Sequence, residues 1–328
     1  MRHVASNAFN LVILALVLVA GVLAWGRHEF HRSGPLAADS VFIIEKGESL
    51  YAVADRLESD GIISNAAVFR IGARFLRLEE ALKYGEYPLA ARSTMKAVLE
   101  RLTSGRGVFY WVTVPEGFTV HQVLARIADV DELTGEVTES PAEGSLAPDT
   151  YAVSKGDSRQ SVIDRMRMAQ SAILEDAWEG RAANLPLDSP EEALILASIV
   201  ERETGVESER SEVAAVFVNR LRRGWKLQSD PTVIYGLTGG QSSLGRGLRE
   251  SELASDTPYN TYIISGLPPT PIANPGRASI EATLRPADSD NMFFVADGTG
   301  GHVFSATLAE HNRNVARWRR MERERQDQ

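Results

Sequence analysis

The chain has 328 residues, 44% of them hydrophobic and 24% charged, with a formal net charge of −9. That length accommodates two domains with cores of their own, and the acidic balance argues against a protein that wraps nucleic acid, which needs a basic face. There is no cysteine, which excludes thiol catalysis, disulfides and thiolate metal sites; the six histidines show no HExxH-like spacing, so no metal and no other cofactor is expected.

Ala8 to Trp25, "AFNLVILALVLVAGVLAW", carries no charge and is about long enough to cross a bilayer. No small-x-small cleavage site follows it, and Trp25 suits an interfacial anchor. Arg2 on one side faces Arg27 and Arg32 on the other, so charge says little about direction. The expectation is a cytoplasmic tail over 1–7, one uncleaved transmembrane helix over 8–26 and a linker over 27–40, with the remainder outside the cytoplasm.

"VFIIEKGESLYAVADRLESDG" predicts a strand from Val41 to Glu45, a turn at Lys46-Gly47, and a helix capped by Ser49 with Leu50, Val53, Ala54 and Leu57 on one stripe. Ser64 opens another helix with Val68, Ile71 and Phe75 directed inward, and a third runs from Ser93 to Ser104, stopped by Gly105. The first pattern returns in "YWVTVPEGFTVHQVLARIA", with Gly117 in the place of Gly47 and Thr119 in that of Ser49. A fainter echo puts Lys155-Gly156-Asp157-Ser158 after an extended Tyr151–Val153. Strand, glycine turn and capped helix is a common local pattern. The first copy, "KGESLYAVA", nevertheless resembles a LysM module, a small fold that binds the N-acetylglucosamine backbone of cell-wall glycans, and this implies a LysM-like subdomain over 41–110.

Helices dominate after Asp157. Residues 158–182 are amphipathic. Ser189-Pro190 with Glu191 and Glu192 starts a second helix that ends at Glu203 before Gly205. A third covers Ser208 to Arg223, with Val213, Val216, Phe217 and Leu221 inward. "LQSDPTVIYGL" follows, then the turn-rich "DTPYNTYIISGLPPTPIANPG", a length and composition expected of a functional loop. "MFFVADGTGGHVF" reads as a hairpin around Asp297-Gly298, and Leu308 to Gln328 as a charged terminal helix. The fold class is α+β: one N-terminal transmembrane helix, a small LysM-like α/β subdomain, then a mainly helical domain over 111–328 (core about 145–320) with a long loop region and a β-hairpin.

The second of these helices poses the chemical question. Leu194 to Val200 is apolar in every direction around a helix, which predicts burial, yet Glu201 and Glu203 follow directly. At about 100° per residue, Glu203 falls between Ile199 and Leu196 with Val200 beyond, while Glu201 falls near Ala197 and Leu194. Glu203 also ends its helix, where unpaired carbonyls disfavour negative charge. Desolvation and the dipole both raise its pKa, and a carboxylic acid kept protonated near neutral pH is what glycosidic cleavage requires. An ion pair with Arg202 or Arg210 is the alternative for either glutamate, and helix-end solvation is another for Glu201, Glu207 and Glu209. Spacing alone leaves these open.

"LASIVERETG", "SERSEVAAVFVNRLRRGWKLQSDPTVIYGL", "TPYNTYIISGLPPTPIANPG" and "FFVADGTGGHVFSATLAEHN" together resemble the YceG-like endolytic murein transglycosylases, over nearly the whole chain. "EGSLAPDTYAV" fits as well, departing at Ser145 and Ala147, where the family usually has large apolar residues. The resemblance implies cleavage of nascent peptidoglycan strands between N-acetylmuramic acid and N-acetylglucosamine with formation of a 1,6-anhydro sugar. It implies Glu203, the second acid of the pair, as the catalytic residue, and no metal or other cofactor. It implies a single-pass protein of the inner (plasma) membrane with its catalytic domain in the periplasm, glycan strands as substrate, and peptidoglycan synthases as partners. Gln228, Asp230, Thr232 and Tyr235, with Asn260, Tyr262 and Asn274 on the long loop, are the candidate substrate-binding residues, being amides, hydroxyls, an acid and aromatic faces suited to sugars. Each has an alternative as a loop-builder: Asp230-Pro231 can cap a turn and Asn274-Pro275 can make one. His302 is open between substrate contact and hairpin structure. A hydrolase of the same polymer with Asp230 as base, and a non-catalytic wall-binding scaffold, are the competing functions.

Overall fold

The computed structural model describes residues 2–105 and 107–326. Met1 of the expected tail, and Asp327 and Gln328 at the end of the expected terminal helix, lie outside the described residues. The chain divides into two compact units, Met1–Tyr110 with Ala152–Asp157, and Trp111–Tyr151 with Ser158–Gln328.

The first unit opens with α1 (Arg2–His31), whose stretch Leu11–His31 contains an 18-residue window of mean hydropathy 2.0 with no buried residue, and is long and apolar enough to cross a membrane. α1 runs without a break into the residues expected to be a linker. The reason is tertiary: Phe30 and Glu29 are buried, the Phe30 ring rests where a side chain at Gly72 would stand, and Glu29 Oε1 accepts the Ser64 hydroxyl at 2.6 Å. The chain then crosses to β1 (Ser40–Ile44), α2 (Leu50–Ser59), α3 (Ala66–Phe75), β2 (Gly85–Leu89) and α4 (Met95–Thr103). β1 and β2 pair antiparallel with Phe42 opposite Tyr87, both buried against Val53, Leu57, Phe69 and Leu99. Side-chain caps set the helix starts as expected for Ser49, which accepts the Ala52 amide. α3 differs. Its cap is Asn65, accepting Val68 N–H at 2.9 Å, because the Ser64 hydroxyl is committed to Glu29. Ala66, Phe69 and Ala73 fill the core beside Val68, whereas Ile71 and Phe75, expected inward, are 69% and 85% exposed.

The second unit contains β3 (Tyr110–Thr113) as it enters, α5 (Val120–Ala128), β4 (Thr150–Val153) at its boundary, α6 (Arg159–Glu179), α7 (Pro190–Glu203), a 3₁₀ turn at Glu207–Glu209, α8 (Arg210–Arg222), α9 (Asp230–Thr238), α10 (Glu250–Leu253), α11 (Arg277–Leu284), the hairpin β5 (Phe293–Ala296) and β6 (His302–Ser305), and α12 (Leu308–Gln326). The repeated sequence pattern is a repeated geometry. Gly47, Gly117 and Gly156 have φ of 84°, 74° and 90°, a region that favours glycine, and each precedes a helix capped by Ser49, Thr119 or Ser158.

α7 is the centre of the second core. Leu196, Ala197, Ile199 and Val200 are wholly buried among Val213, Phe217 and Val218 of α8 and Ile280 and Leu284 of α11. Burying a large aliphatic side chain is worth about 1.5–3 kcal/mol, so this all-round apolar surface holds the helix and leaves only its end to chemistry. The hairpin pairs Phe294 with Phe304 and Ala296 with His302, and the Phe294 ring meets Phe217 of α8 at 5.9 Å.

Candidate active site

The site begins where α7 stops. Glu203 is its last residue and Thr204 its extended C-cap. Glu203 is half-buried, and its carboxyl is enclosed by protein. Loss of hydration is the largest influence on it and pushes its pKa up to about 7; the hydroxyl of Ser229 opposes the rise, Asp230 adds to it, and His302 and Arg220 oppose it from further away. Among the described residues no cation lies within ion-pair distance of Glu203. The expected alternatives go elsewhere: Arg202 Nη1 donates to Gly117 O at 3.3 Å and Arg210 pairs with Glu116 at 3.5 Å. Glu201, two residues earlier, has a structural task, since its Oε2 accepts the Gly276 amide at 3.0 Å and ties the end of the long loop to α7.

Among the described residues, Ser229 gives the Glu203 carboxyl its one direct hydrogen bond, Oγ to Oε1 at 2.6 Å. It stands at the N-cap of α9 but makes no cap bond; its hydroxyl is diverted to the acid. Its backbone is held on both sides, the amide donating to Thr261 Oγ1 at 2.9 Å and the carbonyl accepting from Thr232 Oγ1 at 2.7 Å. Gln228 precedes it with φ of 52°, its backbone amide donating to Thr261 O at 3.1 Å. Asp230 follows, exposed, with its Oδ1 accepting the Tyr262 hydroxyl at 2.7 Å. Arg220 of α8 is buried and donates from Nε to Met292 O at 2.9 Å and from Nη1 to Leu227 O, which joins the hairpin strand to the segment leading into Ser229. His302 is held by Glu209, which accepts its backbone amide and its Nδ1 at 2.8 Å each.

Of the residues singled out from the sequence, Glu203, Asp230 and Tyr262 come together around Ser229, and Gln228 adjoins them with an exposed side chain. Three others are corrected. Thr232, Asn260 and Asn274 have no exposed surface and spend their polar groups on the protein. Thr232 bonds Ser229 O and Thr261. Asn260 donates to Leu253 O and Ser255 O. Asn274 accepts Leu146 N–H and donates to Phe118 O, each at 2.9 Å. Buried polar groups must be paired, and these build the loop that faces the site. Tyr235 stands apart with its hydroxyl on Glu143 at 3.2 Å and its ring against Tyr259. Ser229, Arg220 and Thr261 were missed: Ser-Asp-Pro reads as an ordinary helix start, and nothing local announces that the cap hydroxyl turns to a glutamate 26 residues earlier.

A cleft of about 170 Å³ runs along α9, walled by Arg202, Pro231, Ile234, Tyr235, Gly240 and Ser243 among others. Arg202 and Pro231 are the immediate chain neighbours of Glu203 and Asp230. An enclosed, protonatable carboxyl beside an exposed carboxylate and hydroxyls is equipped to give and take back one proton.

Comparison with known proteins supplies the family. The profile of the YceG-like family matches residues 42–317. An endolytic murein transglycosylase of Bacillus subtilis is 30% identical over 301 residues, 82% of each chain. One from Streptococcus pneumoniae is 28% identical over 96% of this chain, which spans 65% of that relative's length. The crystal structure of a YceG-like protein of Listeria monocytogenes covers 84% of this chain and 99% of its own with a TM-score of 0.51 and 29% identity. The chain belongs to the YceG-like family.

Proposed function

We propose that the protein is an endolytic murein transglycosylase that cuts glycan strands between N-acetylmuramic acid and N-acetylglucosamine, with Glu203 as its catalytic residue. The observation that carries the reading is the state of Glu203: a carboxyl raised to about 7, enclosed, and held by one serine hydroxyl. The names of the relatives supply the substrate class.

One group used twice suffices. Protonated Glu203 gives its proton to the glycosidic oxygen as that bond breaks; the carboxylate formed then takes the proton of the muramyl 6-hydroxyl, whose oxygen closes on C1. The proton returns to Glu203 and no water is consumed. Ser229 orients Glu203 through both halves, because its hydroxyl can donate to the carboxylate and remain bonded to the acid. Asp230, fixed by Tyr262, offsets the positive charge that develops at C1. Hydrolases of the same linkage generally use two carboxyl groups with a water between them, and Asp230 is the group available for that role.

The ends of the products separate these possibilities. Mass spectrometry of glycan strands digested by the wild type should show 1,6-anhydro ends, and Glu203→Gln should show no cleavage. Ordinary reducing ends would replace this reading with hydrolysis, and unimpaired cleavage by Glu203→Gln would remove the acid from the mechanism. In the same reading α1 anchors the chain in the plasma membrane with the catalytic unit on the periplasmic side. The LysM-like residues 41–110 then grip glycan, and peptidoglycan synthases are the protein partners.

A further inference from the structure

The sequence pattern gave α3 an inward stripe that the fold turns outward, and the membrane helix runs directly past it. Ala67, Ile71 and Phe75 follow one another at four-residue spacing on a single face of α3. Ile71 is 69% and Phe75 85% exposed, and Leu76 and Tyr51 are exposed beside them. A contiguous exposed apolar face of this kind marks a surface that meets something. Its edges carry three arginines. Arg70 lies over the Tyr51 ring at 5.1 Å and pairs with Asp55 at 2.9 Å, Arg74 reaches Glu79 at 3.1 Å in an exposed pair, and Arg77, exposed, has no carboxylate within 4.0 Å among the described residues. The helix thus carries arginines beside Phe and Ile, the composition of a helix that lies in a membrane interface.

The position of α3 identifies the occupant. Gly72 of α3 abuts Phe30 of α1, and Ile71, its chain neighbour, points about 100° away from that contact. Phe30 is five residues beyond Trp25, roughly 7–8 Å along the helix axis at about 1.5 Å per residue. Headgroups occupy roughly 5–8 Å on each side of the hydrocarbon core. If the apolar run of α1 fills that core up to Trp25, α3 is level with the headgroups. The attachment is stiff, because α1 continues unbroken to His31 and the next residues are bonded to the body of the unit, Gly34 N–H to Ser93 O at 3.1 Å.

We propose that α3 is an interfacial helix whose Ala67–Ile71–Phe75 face lies in the phospholipid headgroup layer beside the exit of α1, with Arg77 directed to lipid phosphates. The first unit is then held against the bilayer at two places. This rests on α1 being the membrane anchor, and the test separates the two.

The chain has no cysteine, so a nitroxide can be placed at one introduced cysteine at a time in the full chain, reconstituted in nanodiscs of equimolar phosphatidylcholine and phosphatidylglycerol. Oxygen, which concentrates in lipid, and a water-soluble nickel chelate report the surroundings by power saturation. Leu18→Cys in α1 serves as the lipid reference and Ser243→Cys, on an exposed loop of the second unit, as the aqueous one. Ile71→Cys and Phe75→Cys should respond to oxygen over nickel, as Leu18→Cys does. Labels at 71 and 75 as open to nickel as the one at 243, with 18 still in lipid, overturn the interfacial helix and leave the anchor standing. Protection of 71 and 75 from both reagents means a protein covers the face and overturns it equally. A water-like label at 18 removes the anchor and this proposal with it.

Discussion

Replacing Glu203 with glutamine should stabilise the protein, and by an amount that depends on pH. A carboxyl whose pKa rises from 4.5 to about 7 on folding is more easily protonated in the native state than in the unfolded chain. The sign follows: its contribution to stability is fully present below 4.5 and is lost as pH rises to and past about 7. At about 1.4 kcal/mol for each tenfold change in proton affinity, the loss is roughly 3 kcal/mol. Glutamine is neutral throughout, keeps an oxygen for the Ser229 hydroxyl, and loses nothing over the same interval. The advantage of Glu203→Gln over wild type should therefore grow by roughly 3 kcal/mol between about pH 4.5 and about pH 8.5. For a unit of this size each kcal/mol moves Tm by about 2–4 °C, so the gap should widen by roughly 6–12 °C. Differential scanning calorimetry of the full chain in one detergent, at both pH values, reads it. A Tm difference that stays constant with pH, or reverses so that the wild type is favoured at high pH, would refute the idea that Glu203 is desolvated.

The same group sets the pH dependence of cleavage, because the acid must be protonated before it meets substrate: initial rates measured by release of soluble fragments should fall as pH rises through about 7. Ser229→Ala removes the hydroxyl that steadies the carboxylate; kcat should drop about tenfold, the scale of one hydrogen bond, and the falling limb of the rate profile should move to higher pH. Asn274→Ala leaves Leu146 N–H without its acceptor, while Phe118 O keeps the backbone N–H of residue 274, and should lower stability by about 1–3 kcal/mol, with KM of the folded fraction unchanged, as chemical denaturation and steady-state kinetics would show. Asp230→Asn keeps the Tyr262 contact but not the charge, and should cut kcat by roughly a hundredfold while the product ends remain anhydro.

What could be read from the residues was what local periodicity and capping determine. The all-round apolar run before Glu203 identified a buried helix and, through the wheel, the one of two glutamates that ends in apolar company. The glycine turn before each capped helix was legible because a positive φ and a cap hydroxyl are strictly local needs. Other features depend on partners far along the chain. Ile71 and Phe75 lie only one step round the helix from the true core stripe, and it is Glu29, 35 residues before Ser64, that takes the serine away from capping and shifts the start to Asn65. Asn260 and Asn274 looked suited to sugar because an amide serves a ligand and a loop backbone equally well; only their burial decides. Ser229 was hidden for the opposite reason, a residue with an obvious local role that performs a distant one.

The first unit is not one continuous length of chain. Residues Ala152–Asp157 belong to it, tied in by Lys155 Nζ on Glu86 at 3.1 Å and by the Tyr84 hydroxyl on Asp157 at 2.7 Å, and they are spelled out only after Trp111–Tyr151 of the other unit. Each unit is therefore interrupted by the other during synthesis. The amino-terminal body cannot close its last contacts on the ribosome until nearly half of the polypeptide has emerged, and no single cut after Tyr110 would release either body with all of its own parts.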